Sequence, residues 1–157
     1  MIKLDETAQE GYSSSFFSTM LTHNSQRCLV SSCLLGLCTR YDGQSKPDSR
    51  CLTLLQNLHY IPVCPEQLGG LATPRVPANL TGSGEQVLAG CATVITQEGT
   101  DVSQQFIAGA KAVLQIAQMQ KIQLALLKAK SPSCGLKPQV GVTAALLLQH
   151  GIQVIEF

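Results

Sequence analysis

The chain has 157 residues, a length that fits one domain with a substantial hydrophobic core. Apolar residues make up 45% of the sequence and charged residues 13%, which excludes a disordered acidic or basic tail. The formal net charge of +1 gives no reason to expect DNA or an anionic membrane as a partner. Residues 103–157 carry five lysines against one acid, Glu156, a pattern typical of a solvated helix face; attraction of an anionic or electron-rich small ligand is the alternative.

No window contains the roughly 18 consecutive apolar residues that a membrane span needs. The first residues, MIKLDETAQEGYSSSFFSTM, contain acids and serines where a signal peptide would be uniformly apolar, so we expect a cytoplasmic protein. There the seven cysteines should stay reduced, and their odd number argues against a disulfide framework. We expect a loose, serine-rich extension over residues 1–26, followed by one α/β domain over residues 27–157.

From Cys28 onward, short apolar runs alternate with helical periodicity. Asp101 is a candidate N-cap for the clearest helix, with Gln104 three residues on. The order of elements predicts a single three-layer α/β domain with a four-stranded, mainly parallel sheet, Rossmann-like or flavodoxin-like. The predicted strands are 28–32, 60–64, 123–128 and 152–157, and the predicted helices are 50–58, 101–120 and 141–151.

Three cysteines stand at the ends of predicted strands. Cys33 follows the first strand, Cys64 ends the second, and Cys134 lies six residues beyond the third. Ligand sites of open parallel sheets lie beyond the carboxyl ends of the strands, and neighbouring strands are about 4.8 Å apart, so three thiols could converge on one small object. Any one of them alone is also explained as a small buried hydrophobe, and the role of Cys38 stays open. That inert role is expected of Cys28, Cys51 and Cys91.

Charged residues near these cysteines are candidates for acid–base chemistry or substrate binding. Glu66, two residues after Cys64, is either a helix or loop cap or a general acid/base beside an electrophilic centre. Arg75, between two prolines in TPRVP, could pair with Glu66 or Asp42, or bind substrate. Asp42-Gly43 is a strong turn signal that also lies on the expected rim of the site.

The segment KSPSCG, residues 130–135, places two hydroxyls just before a thiol. Ser131 and Ser133 precede Cys134 by three and one residues, so they could donate hydrogen bonds to its sulfur or to a substrate bound beside it. A serine nucleophile is not expected, because GxSxG is absent and none of the three histidines is placed to activate a hydroxyl.

Taken together, these segments resemble the DUF523 family, some of whose members are desulfidases that act on thiouracil using an iron–sulfur cluster. The matching segments, in order over residues 28–157, are VSSCLLG, RYDGQSK, PVCPEQLGGLATPR, DVSQQFIAGA, LKAKSPSCG and GVTAALLLQHGIQV. The resemblance implies that a 4Fe–4S cluster is ligated by Cys33, Cys64 and Cys134. It also implies that Glu66 and Ser131 are the catalytic side chains. Substrate contact by Asp42, Arg75 and Ser133 is predicted from their positions alone.

The resemblance implies removal of sulfur, without net redox, from a thiolated nucleobase such as 2-thiouracil, with water activated by Glu66 attacking the thiocarbonyl carbon. One alternative is a non-catalytic protein that holds an iron–sulfur cluster or zinc for sulfur or metal trafficking; another is a zinc hydrolase with three cysteines and a water. Family members usually have a longer, glycine-rich loop after SPSCG, where this chain has only residues 136–140. We expect that difference to affect substrate choice more than the fold. The sequence does not indicate an oligomeric state.

Overall fold

A computed structural model describes residues 27–157, so the extension predicted for residues 1–26 lies outside the described residues. Within residues 27–157, short strands alternate with helices, and a single 3₁₀ turn, Ser32–Leu35, follows the first strand. The strands are β1 Arg27–Ser31, β2 His59–Val63, β3 Ala78–Leu80, β4 Val94–Thr96, β5 Leu124–Leu127 and β6 Gln153–Glu156. The helices are α1 Ser49–Leu55, α2 Pro65–Leu68, α3 Gly84–Leu88, α4 Ser103–Met119 and α5 Val142–Gln149.

The main sheet has the strand order β2-β1-β5-β6, and all of its strand pairs are parallel. This confirms the predicted α/β architecture. Pro62 lies in β2, an edge strand, where a missing N–H need not face another strand. After β1, the chain forms β2 on one side of β1 and later forms β5 on the other side. The direction of the connections therefore reverses at β1.

Both faces of the central strands, β1 and β5, are buried. In β1, Leu29 belongs to one core cluster, while Cys28 and Val30 belong to the other, and β5 alternates in the same way. The first cluster contains side chains of α4 and α5, and the second contains Cys51 and Leu55 of α1. Burial on two sides explains why these strands appear in the sequence as continuous apolar runs rather than as an alternating pattern.

Two glycines allow α2 and α4 to approach closely. A Cβ atom on Gly109 would collide with the carbonyl group of Pro65, and one on Gly69 would collide with the carbonyl group of Gln105. Only hydrogen atoms can occupy these two positions without moving the backbone. This contact fixes α2, the short helix that carries Glu66, against the long helix α4.

Several details differ from the sequence predictions. Asp101 is not the N-cap: α4 begins at Ser103 with Val102 as N-cap, while Asp101 Oδ1 accepts the N–H of Ser103 at 2.8 Å. A bridge between Asp101 and Ile95 holds that residue one position outside the helix. Cys91 is exposed and is therefore not a core residue. The antiparallel pair β3–β4 and helices α2 and α3 were not predicted. Among residues 27–157, no helix has the length and apolar character that crossing a membrane requires.

Candidate metal centre and active site

The three cysteines at predicted strand ends converge at one edge of the main sheet. Cys33 lies in the 3₁₀ turn directly after β1, and Cys64 is the first residue after β2. Cys134 lies in the loop that follows β5. Because β1 stands between β2 and β5, these residues come from three adjacent carboxyl ends, at the strand where the connections reverse. That edge is where parallel α/β sheets bind their ligands.

The Cys134 thiol lies in an environment that disfavours its ionised form. Burial raises the pKa of Cys134 to about 12, and the hydrogen bond from Ser31 acts in the opposite direction. Negative charge on Glu66, Cys33 and Cys64 raises this pKa further. The thiol is therefore neutral in the protein alone, and a thiolate at this position requires a positively charged partner.

The Cys33 thiol has a mixed electrostatic environment. Burial is the main reason that the pKa of Cys33 is raised, and charge on Cys64 adds to that effect. Lys128 and Arg40 act against it, because their positive charges favour the thiolate. Two cations from different segments therefore lie near the Cys33 thiol and favour its anionic form, which is the form that binds metal.

Ser31 is a residue of this site that the sequence analysis missed. Its hydroxyl accepts the N–H of Lys128 at 2.9 Å and donates to Cys134 Sγ at 3.6 Å. Ser31 is the last residue of β1 and is almost fully buried. Only the pairing of β1 with β5 brings it to Cys134, and the sequence contains no direct signal of that pairing.

The loop before Cys134 is held by the hydroxyl of Ser131, which lies within the loop, and by helix α5. Ser131 Oγ accepts the N–H groups of Ser133 and Cys134, both at 3.2 Å. At the start of α5, Val142 N and Thr143 N donate to the carbonyl oxygens of Pro132 and Ser133, at 3.0 and 2.9 Å. The first turn of α5 therefore fixes the backbone that presents Cys134.

Two hydroxyls in this region are buried without a partner among the described residues, Ser133 Oγ and Thr143 Oγ1. Ser133 is only 1% exposed. A hydroxyl without accessible surface does not reach a substrate in this conformation, so the predicted substrate contact of Ser133 gains no support from the geometry.

Glu66 and Arg75 form a largely buried ion pair beside the cysteines. Arg75 Nε donates to Glu66 Oε2 at 2.6 Å, and the two side chains are 8% and 14% exposed, respectively. The carboxylate is therefore not a free cap, and it lies near enough to Cys134 to raise the pKa of that thiol. The sequence analysis considered Glu66 and Asp42 as ion-pair partners of Arg75, and the structure shows the pair with Glu66.

Asp42 is engaged in its own turn. Its carboxylate forms an ion pair with Arg40 at 3.1 Å and accepts the N–H of Gln44 at 3.1 Å. The Arg40 guanidinium also lies over the Tyr41 ring, 5.6 Å from its centroid. These contacts agree with the turn interpretation, and substrate binding by Asp42 stays a prediction.

A cavity of about 210 Å³ adjoins the ion pair. Glu66 and Arg75 line it together with apolar side chains that include Val102 and Phe106, and Glu98 also borders it. Pockets for drug-sized ligands measure roughly 300–1,000 Å³, so this cavity suits a smaller molecule.

Within the described range, no three His, Cys, Asp or Glu side chains are arranged to hold a single metal ion. The zinc-hydrolase alternative therefore has no supporting geometry here. A cluster of several iron atoms is a wider object, for which the ligands stand further apart than around one ion.

The 2-thiouracil desulfurase family model matches residues 28–156, a span that includes all of the elements described above except Arg27, the first residue of β1. The chain belongs to the 2-thiouracil desulfurase family. One relative is the uncharacterized protein YbbK of Bacillus subtilis (strain 168), which is 39% identical over a match covering 81% of this chain and 93% of YbbK. A solved relative is the 4Fe-4S-dependent thiouracil desulfidase TudS (DUF523Vcz). It is 39% identical with a TM-score of 0.70, and the match covers 83% of this chain and 90% of that one. The DUF523 resemblance is thus confirmed.

The short connection between Cys134 and α5 is closed by hydrogen bonds. Gly141 N donates to Gly135 O at 2.8 Å, and Leu136 N donates to Glu156 Oε2 at 2.7 Å. The connection therefore lies against the end of β6, and its residues 137–139 are exposed.

Proposed function

We propose that this chain is a 4Fe–4S-dependent desulfidase that exchanges the sulfur of a thiolated nucleobase, such as 2-thiouracil, for oxygen and releases hydrogen sulfide. The observation that carries the proposal is the convergence of three thiols from adjacent strand ends beside the buried carboxylate of Glu66. Family membership and the cofactor named for the solved relative TudS support it.

The donor set fits an iron–sulfur cluster held by Cys33, Cys64 and Cys134. Thiolates are the soft ligands that such clusters require, and the buried Cys134 needs a positive partner to lose its proton. Ser31 supplies a hydrogen bond to that sulfur. When bound, the cluster would supply Lewis-acid polarisation of the thiocarbonyl.

Glu66 is the proposed general base. Arg75 occupies its Oε2, which leaves Oε1 to take a proton from the water that attacks the thiocarbonyl carbon. Oxygen from water forms the new carbonyl, the carbon–sulfur bond breaks, and the two protons of water leave with the sulfur as hydrogen sulfide. No atom needs a net change of oxidation state, so no external reductant is required.

Ser131 is the proposed hydrogen-bond donor to the substrate. Its oxygen already accepts two backbone N–H groups, so its own proton remains to be donated. Because both acceptor contacts are to the backbone of the loop, the hydroxyl has a fixed position relative to Cys134. The lining of the cavity beside Glu66 includes neither Ser131 nor any of the three cysteines, so the heterocycle is not assigned to that cavity.

Anaerobic reconstitution with iron and sulfide, followed by incubation with 2-thiouracil, tests the proposal. We expect stoichiometric hydrogen sulfide and uracil from the reconstituted protein and neither from the cluster-free protein. A reconstituted protein that holds its cluster but releases no sulfide from thiolated bases would instead support the carrier alternative, in which the cluster is cargo.

A further inference from the structure

Arg75 is the centre of a hydrogen-bond network that joins separate segments of the site. Its guanidinium contacts Glu66 on α2 and the Thr39 carbonyl in the segment that follows Cys33. It also contacts Ala72 and Thr73, close to it in sequence. The Arg75 side chain thus connects three parts of the site: helix α2, the loop that follows α2, and the segment that follows Cys33.

The donors of Arg75 are nearly all used within the protein. A guanidinium has five N–H groups. Nε donates to Glu66 at 2.6 Å, Nη1 to Ala72 O and Thr73 Oγ1 at 3.2 and 3.0 Å, and Nη2 to Thr39 O at 3.2 Å. These four contacts leave one N–H group, so the two parallel donors that bind a carboxylate or phosphate are not available. Substrate binding by Arg75 is therefore disfavoured.

The Thr39 carbonyl has a second partner. Cys64 Sγ lies 3.6 Å from the same oxygen that Arg75 contacts. Arg75 is thereby connected to the proposed base directly and to a proposed cluster ligand through one shared acceptor. Arg75 is also anchored by its backbone, since its N–H donates to Tyr41 O at 2.8 Å.

We propose that Arg75 is a positioning residue that fixes the Glu66 carboxylate relative to Cys64 through their shared contacts with the guanidinium and the Thr39 carbonyl. This inference rests on the proposed function for its kinetic part, because Glu66 is taken as the base. Its structural part, the restraint on Cys64, does not depend on the reaction.

The kinetic test compares Arg75→Met and Arg75→Lys with Arg27→Met, a matched control at the opposite end of β1. With wild-type iron content, Arg75→Met should lower kcat for 2-thiouracil by about 30-fold and change KM by less than twofold. Arg75→Lys keeps the positive charge but not the planar guanidinium group, so its kcat should lie between those of Arg75→Met and Arg27→Met. If KM rises while kcat is unchanged, Arg75 binds substrate and the proposal is wrong.

A double-mutant cycle with Glu66→Gln tests whether Arg75 acts through the carboxylate. In the Glu66→Gln background, adding Arg75→Met should change the residual kcat by less than twofold. Fully multiplicative losses would mean that Arg75 acts independently of Glu66 and would overturn the inference. Should the methionine variant fail to fold, Arg75→Lys serves in the same cycle.

Alkylation of cluster-free protein, read peptide by peptide in a mass spectrometer, tests the restraint on Cys64 without any catalysis. Arg75→Met should speed alkylation of Cys64 at least threefold over Arg27→Met, while the exposed Cys91 reacts at an unchanged rate. Equal Cys64 rates in both variants would contradict the proposal. If wild-type protein released no sulfide but the Cys64 rate rose as expected, the proposed function would fail and the positioning role would stand.

Discussion

Ser31 Oγ donates a hydrogen bond to Cys134 Sγ at 3.6 Å, although the two residues are 103 positions apart in the chain. The contact exists because β1 and β5 are neighbours in the sheet, and the same hydroxyl accepts the N–H of Lys128 just after β5. Ser31 therefore links the two central strands to the thiol most deeply buried in the site.

Ser31→Ala should weaken the fold and alter the metal centre. The Lys128 N–H would lose its acceptor in a half-buried position, so we expect a loss of roughly 1–3 kcal/mol in the free energy of unfolding of the cluster-free protein. Removal of a hydrogen bond to a ligand sulfur should make the cluster potential more negative. Urea unfolding and spectroelectrochemistry measure the two effects. Ser49→Ala, at an exposed position, is the control and should change neither.

Glu66→Gln should retain the cluster and lose turnover. The amide keeps the size of the side chain but cannot accept the proton of the attacking water, and such groups contribute roughly 10²–10⁴-fold to rate. Sulfide release, with the iron content measured on the same sample, checks this. Glu85→Gln removes the same charge from an exposed position on α3 and should leave kcat unaltered. Undiminished turnover in Glu66→Gln would remove this residue from the mechanism.

Gly109→Ala should destabilise the protein through the contact between α2 and α4. The added methyl group would meet the Pro65 carbonyl, so the helices must separate, at a cost of roughly 1–3 kcal/mol. Thermal unfolding of the cluster-free protein measures the effect. Ala108→Ser, on the exposed side of α4, is the matched control and should change the free energy of unfolding by less than about 0.5 kcal/mol. Equal stability of the two variants would show that the close approach is not required.

High pH should destabilise the cluster-free protein through its buried thiols, among which Cys28 and Cys51 lie outside the proposed ligand set. Burial raises the pKa of Cys28 from 9.0 to about 12 and the pKa of Cys51 to about 11. Between pH 9 and these values the unfolded chain loses thiol protons that the folded chain keeps, so the free energy of unfolding falls as pH rises. Below pH 9 both states are protonated and the contribution is fully present.

Unfolding midpoints in urea, measured under reducing conditions from pH 8 to about 11.5, test this dependence. The decline should be shallower in Cys28→Ala than in the wild type, because one of the buried thiols with a raised pKa is removed. Cys91→Ala, at an exposed position, should follow the wild-type decline. Parallel curves for all three proteins would show that the buried thiols do not contribute.

The architecture could be predicted because its two central strands, β1 and β5, are buried on both faces. Runs such as LALL in β5 are continuously apolar and leave little choice of element, and the periodicity of α4 is long enough to be unambiguous. Placement of Cys33, Cys64 and Cys134 at one edge then followed from the direction of parallel strands. Their ligand roles stay predictions, as do those of Glu66 and Ser131.

Contacts between segments that are distant in sequence could not be predicted. The strands β3 and β4 have three residues each, too few to show an alternating pattern, and the Ser31–Cys134 contact depends on strand order. The choice between Glu66 and Asp42 as the partner of Arg75 was left open, because the sequence alone does not show which carboxylate lies closer to Arg75. The N-cap of α4 was predicted one position too early, at Asp101. The bridge between Asp101 and Ile95, which keeps Asp101 outside the helix, could not be recognised from the sequence.

Iron content per chain after anaerobic reconstitution tests the central claim, that three thiols hold one cluster, most directly. The wild type and Cys91→Ala should each bind about four iron atoms with the broad absorbance of an iron–sulfur cluster. Single alanine variants of Cys33, Cys64 and Cys134 should each lose that content. Full iron loading of any one of these three variants, or a wild type that binds a single metal ion, would contradict the account.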